Sequence, residues 1–187
     1  MKNLLLCSLL RRSQGLQRVV LAALIPAVSW FPVPIQANPS GGVVVNGAVN
    51  FQNVSANHLR INQASSRAII NWQDFSIGAN EWTQFVQTQG AIALNRVVGG
   101  NPAAIYGRLS ANASVIVVNP NGIVVGPTGV IDVGGSVTLS TLDIDNDDFL
   151  NGGPSRYYGD ATTGVTNFGT ISSADGDVIL LGGFVDN

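Results

Sequence analysis

From Asn38 onward this chain has no cysteine, because its one cysteine, Cys7, lies close to the start. That absence excludes a disulfide framework, an option open to a domain of this size in an oxidising compartment. Nothing covalent therefore locks the chain from Asn38 onward. Charge is scarce too, with Asp, Glu, Lys and Arg making up only 11% of the residues, so uncharged Asn, Gln, Ser and Thr must cover much of the surface. Four of the nine basic residues (Lys2, Arg11, Arg12, Arg18) precede residue 19, and all eleven acids follow residue 70. A form starting at Asn38 carries five Arg against eleven acids, a net charge of −6. That sign argues against nucleic acid as a partner, since phosphate binding needs a cationic face. Histidine occurs once, at His58, so a Ser-His-Asp arrangement would rest on a single candidate base in an apparent strand. Asp74 and Glu81 are a carboxylate pair near corners, with nothing else to suggest a sugar cleft. The reading is therefore of a protein that is not an enzyme and uses no cofactor.

A long apolar run is missing as well. The stretch Val19 to Phe31 falls short of the roughly 20 residues of a membrane span, and Pro26, Pro32 and Pro34 oppose a continuous helix. With the basic residues ahead of it and Ile35-Gln36-Ala37 as a tolerable cleavage site, residues 1–37 read as a secretory signal of unusual length. Cys7 precedes the main apolar run and follows Leu6, so a lipoprotein reading is set aside. Nor is there a sustained period of 3.6 residues. The one helical candidate, Ala103 to Leu109, is short for a helix.

What is present is a rhythm. From Ser114 to Gly135, and on to Leu139, bursts of β-branched residues (Val115 to Val118, Ile123 to Val125, Val130 to Val133, Val137 to Leu139) alternate with turns built of Gly, Pro and Asn. β-Branched side chains suit a pleated surface. At Asn119-Pro120-Asn121-Gly122 a Pro that presets φ stands beside an Asn-Gly pair that tolerates positive φ, so the chain must bend there. Very short strands joined by tight corners are how a coil of a β-solenoid is written.

The same pattern extends in both directions. Gly41 to Phe51 reads as two strands about an Asn-Gly turn, an opening hairpin or cap. His58 to Gln63, Arg67 to Trp72, Glu81 to Gln87 and Ala91 to Val98 read as half-buried strands, with a corner at Asp74 to Asn80. Gly129-Val-Ile131 followed by Val137-Thr-Leu139 is echoed forty residues later as Gly169-Thr-Ile171 followed by Val178-Ile-Leu180. Forty is too long for one coil but fits a coil plus an insertion. The acidic, Gly-rich segment from Asp143 to Gly159 supplies that insertion as an excursion from the coil. The final residues, Leu180 to Asn187, stop in mid-rhythm without a polar capping segment, as expected for the front of something longer or for a truncated copy.

Taken in order, Ile70-Asn-Trp72 through Phe75-Ser-Ile-Gly78, Phe85, Leu94-Asn-Arg-Val97, Ile105-Tyr-Gly107, Val118-Asn-Pro-Asn-Gly-Ile123, Ile131-Asp-Val-Gly-Gly135 and Ser140-Thr141 resemble the filamentous haemagglutinin amino-terminal domain. That is the secretion domain of two-partner secretion exoproteins, also called the haemagglutination activity domain. The resemblance covers roughly residues 41–187. It implies an all-β fold, a right-handed single-stranded parallel β-helix with an N-terminal β cap and extra-helical hairpin or loop insertions, occupying residues 38–187. It also implies a Gram-negative-type envelope and a route through the periplasm to the cell surface or medium. The implied partner is a cognate outer-membrane β-barrel transporter that recognises the chain through its periplasmic domains. An earlier Asn-Pro-Asn-Leu motif found in some members is absent here.

The residues expected to carry transporter recognition, or to shape the coil for it, are Asn119, Pro120, Asn121, Gly122 and Ile123, together with Asn95 and Arg96. For the first group the competing reading is a corner with self-satisfied Asn side chains. For Asn95-Arg96 it is a polar contact that pins the cap. A second functional reading is a carbohydrate- or cell-binding adhesin acting by itself on host or neighbour-cell glycans, with Trp72, Trp82, Tyr157 and Tyr158 as an aromatic platform. The carboxylates Asp143, Asp145, Asp147 and Asp148 invite a Ca²⁺ reading. An EF-hand loop needs Gly at its sixth position and Glu at its twelfth, and here Asp148 and Pro154 stand there. A solvated loop without metal is the expectation, and Asp175-Gly-Asp177 is read as a turn.

Overall fold

The computed structural model describes residues 38–152, 156–160 and 162–187; the secretory-signal reading of residues 1–37 lies outside them. A cap opens the fold with β1 (Val43–Asn46) and β2 (Val49–Ser55). Coil one contains β3 (His58–Gln63) and β4 (Arg67–Trp72), and coil two β5 (Trp82–Gln87), β6 (Ile92–Val97) and β7 (Ala103–Ile105). Coil three is β8 (Arg108–Ala111), β9 (Ser114–Val118) and β10 (Ile123–Val125). Coil four begins with β11 (Val130–Val133) and β12 (Val137–Ser140). It is then interrupted by β13 (Asp143–Ile144), α1 (Asn146–Asn151) and β14 (Tyr157–Tyr158) before closing with β15 (Gly164–Asn167). Coil five is β16 (Thr170–Ser173), β17 (Val178–Leu181) and β18 (Phe184–Asp186).

Coils two to five each contribute one strand to each of three faces, so the chain forms a β-solenoid of about five turns. Face one runs β2-β3-β5-β8-β11-β16, face two β1-β4-β6-β9-β12-β17, and face three β7-β10-β15-β18. Coil one reaches face three through a single parallel bridge between Ile77 and Ile105. Coil-to-coil pairing is parallel throughout, as in Val115 with Val137 and Ile123 with Ala103. The echo at forty residues is one coil plus the excursion, for Val130 pairs with Thr170. Antiparallel pairing is confined to the cap, β1 on β4 and β2 on β3, and to the excursion, where β13 pairs with β14. Val43 to Phe51 therefore forms a cap and not a hairpin: the turn at Gly47, with φ 92°, carries the chain from face two to face one. The helical candidate at Ala103 to Leu109 is instead β7, a corner and β8.

The core follows from strand alternation. Inward side chains stack from coil to coil into one buried core: Ile61 on Phe85 and Leu109 on Ile131 on face one, and Ala93 on Val115 and Val137 on face two, with Ile70 in the same cluster. A single coil offers too few such residues to offset the roughly 1–2 kcal/mol per residue of backbone ordering, so stability depends on neighbouring coils. A second, separate cluster lies on the outside of face two, where Ile144 and Phe149 of the excursion pack on Ile69, Leu94 and Val118. The excursion is thus more than a solvated loop. Its helix is capped by the Asp145 side chain, which accepts from the amides of Asp147 and Asp148, and closes on Gly152 in the left-handed region.

Candidate functional site: the Asn119–Gly122 corner

The corner between β9 and β10 is made by its own residues. The Gly122 amide donates to the Asn119 carbonyl at 3.1 Å, closing a turn whose second residue, Pro120, has its φ preset. The Asn119 side-chain oxygen accepts from the Asn121 amide at 3.0 Å, an Asx turn that the sequence reading anticipated. Gly122 has φ 110°, which a side chain would strain. Ile123 then points into the core, fully buried.

The same side chains also tie this corner to its neighbours. Asn119 Nδ2 donates to the Asn101 carbonyl at 3.0 Å and Asn121 Nδ2 to the Gly99 carbonyl at 2.9 Å, both at the equivalent corner of coil two. From the other side, Thr163 Oγ1 donates to the Pro120 carbonyl at 2.7 Å. Asn119 is completely buried, Asn121 half-buried and Pro120 exposed. In the folded coil both Asn amides are spent on neighbouring backbone, leaving Pro120 as the part of the motif that faces outward.

Asn95 and Arg96 are adjacent in sequence but face opposite ways, because successive residues of a strand point to opposite sides. Asn95 points inward and is fully buried. It accepts from the Trp72 indole N–H at 3.0 Å and donates to the Ile116 carbonyl at 3.2 Å. Trp72 in turn meets Phe51 of the cap edge-on, 5.2 Å between centroids, so Asn95 steadies the cap through Trp72. Arg96 points outward and pins the excursion instead of the cap. Its guanidinium donates to the Asp143 carboxylate at 2.8 Å, to Asn146 Oδ1 at 2.9 Å and to the Ile144 carbonyl at 2.7 Å. The structure does not bring Asn95-Arg96 and Asn119–Gly122 into one exposed patch, since Asn95 and Asn119 lie inside. The partnership of Arg96 with the excursion was missed from sequence.

The model of the TPS secretion domain matches residues 35–182. The chain belongs to the TPS, or two-partner secretion, domain family. It is 35% identical to the HMW1 secretion domain of Haemophilus influenzae, whose crystal structure superposes with a TM-score of 0.73 over 79% of this chain and 40% of that one. It is also 36% identical over 108 residues to a heme/hemopexin-binding protein of Haemophilus influenzae, a match covering 57% of this chain and 12% of that protein. A second such protein of that species, from strain KW20 / Rd, is 38% identical over 98 residues, a match covering 52% of this chain and 11% of that protein. The chain thus spans about an eighth of the length of these curated relatives. It is a secretion-targeting domain of a two-partner exoprotein.

Within this TPS domain the other sequence candidates hold the scaffold. Asp74 accepts from the Ser76 amide and Glu81 from the Gly78 amide, each closing a corner. His58 stacks on Trp82 at 4.0 Å, and the Arg108 guanidinium lies 5.4 Å from the centroid of the same indole. Trp72 is in the core and Tyr157, itself part of the excursion, packs against the outer cluster on face two, so the four aromatics form no shared platform. Asp143 neutralises Arg96, and Asp145 caps α1.

Burial raises the Tyr157 hydroxyl above its ordinary value of 10.0, a hydrogen bond with Thr138 opposing the shift. The raised value favours the neutral phenol in the folded state. This contribution to stability is present below pH about 10 and is lost as pH rises above it, when the unfolded chain ionises first. Urea midpoints measured across the alkaline range should fall with pH in the native chain, and fall less steeply in Tyr157→Phe.

Proposed function

We propose that this domain is recognised while extended by the periplasmic domains of a cognate outer-membrane β-barrel transporter, and becomes a β-helix only on reaching the cell surface. The observation that carries this reading is the burial of the Asn119–Gly122 motif. A transporter that reads both Asn side chains must do so before they bond to Asn101 and Gly99, because in the folded corner those amides are occupied. The lack of cysteine from residue 38 onward keeps the chain threadable, and its β-rich segments suit pairing with an exposed sheet edge of the partner. Residues 1–37 act in this scheme as the secretory signal that delivers the chain to the periplasm. Coil-by-coil burial then favours outward movement. The adhesin alternative is not favoured, and no aromatic platform supports it.

The test is binding of the transporter's periplasmic domains to the chain freshly diluted from urea and to the same chain after refolding. Capture should be strong at first and decline with the time course of refolding. Equal capture of the folded protein would contradict recognition of the extended chain.

A further inference from the structure

In a solenoid, each coil ordinarily touches only its neighbours, and coils near an end open independently of those further in. The excursion departs from that pattern. It leaves the chain after β12 of coil four, yet reaches back across the outside of face two to coil one. Arg67 of β4 donates to the Phe149 carbonyl at 2.7 Å across 82 residues of sequence, and its guanidinium lies 5.2 Å from the Phe149 ring centroid. Arg96 of β6 holds Asp143, Asn146 and the Ile144 carbonyl. Phe149 and Ile144 are buried on Ile69, Leu94 and Val118 of coils one, two and three. Tyr157 packs against the same cluster.

We propose that β13, α1 and β14 form a strap that welds coils one to four into one cooperative unit, so that the first coils are not locked until the chain through Tyr158 has joined them. The outside of face two explains why a strap is required. In register, Ile69, Leu94 and Ile116 form an apolar ladder on a surface that would otherwise face water, and its burial waits for Ile144 and Phe149, which come later in the chain than every rung of it. For a chain that threads through a barrel, early coils would remain reversible during transit and become fixed in a single late step. That consequence rests on the export reading; the weld itself does not.

Hydrogen exchange on the full-length chain, read strand by strand on face two, separates the two questions because no transporter is present. In the native chain the slow amides of β4, β6, β9 and β12 should exchange through one common opening. In Phe149→Ala, coils one and two should open at least about tenfold more often than β12, splitting that common rate. If that variant does not fold, Asp143→Asn, which keeps the shape of the side chain but removes its charge, is read in the same way. A graded exchange from cap to coil four in the native chain would overturn the weld. So would variants in which the four strands still share one rate, accelerated or not.

Discussion

Replacing Gly107 by valine is expected to cost about 3 kcal/mol or more, the upper end of overpacking effects and a large part of the 5–15 kcal/mol that holds a domain together. Gly107 turns the chain from β7 into β8 directly above the corner of coil one. A Cβ there would lie 2.1 Å from the Gly78 carbonyl oxygen and 2.4 Å from that of Glu81. Neither oxygen can give way. The Gly78 carbonyl accepts from the Glu81 amide at 2.9 Å, and the Glu81 carbonyl accepts from Arg108 at 2.8 Å. The corner must instead lift, which breaks the bonds that the Tyr106 and Gly107 amides make to Ile77 at 2.7 and 3.0 Å. Urea denaturation should show a markedly lower midpoint. Gly100→Ala is the control, since no atom lies within 4 Å of its added Cβ, and its midpoint should stay near the native value.

Asn119→Ile should have the largest effect on export. Isoleucine can be buried, but it offers neither the acceptor for the Asn121 amide nor the donor for the Asn101 carbonyl. Unpaired buried polar groups cost about 1–3 kcal/mol each, so the corner should open and the purified domain should be less stable. Recognition of the extended motif requires more than that: secretion should fall to a small fraction of native. Thr163→Val provides the comparison, because it removes the bond to the Pro120 carbonyl and loosens the same corner without changing any residue of the motif. The expected outcome is near-native secretion of Thr163→Val at a stability loss that only partly matches Asn119→Ile. Parallel losses of secretion and stability in the two variants would reduce the motif to a folding corner.

Much of the fold was legible because a half-buried strand writes its two environments into alternate residues. His58 to Gln63 and Arg67 to Trp72 were delimited as observed, and the four bursts around Asn119 became β9 to β12. The cap strands were found but their partners were not, since a turn of the Asn46-Gly47 type looks alike whether the chain reverses or changes face. Ala103 to Leu109 stayed unassigned because its short apolar run lacks clear alternation and is too short for a helix. The helix α1 was overlooked although its signals were present, an Asp ahead of the first turn and Gly152 after the last. Asn95 broke the rule that polar residues face out, for a Trp72 indole on the next coil needed an acceptor. What no local pattern discloses is contact across long separations: Arg67 with Phe149 and Arg96 with Asp143 join parts of the sequence 82 and 47 residues apart. At the Asn119 corner the turn chemistry was readable, but its ties to Asn101, Gly99 and Thr163 belong to stacked coils and emerge only in the fold.

The central claim, that this domain directs export through a dedicated outer-membrane transporter, is tested most directly by the amount of protein reaching the medium from cells that carry or lack that barrel. The domain should accumulate outside only when the transporter is present, and remain in the periplasm otherwise. Equal amounts outside in both cases would contradict it.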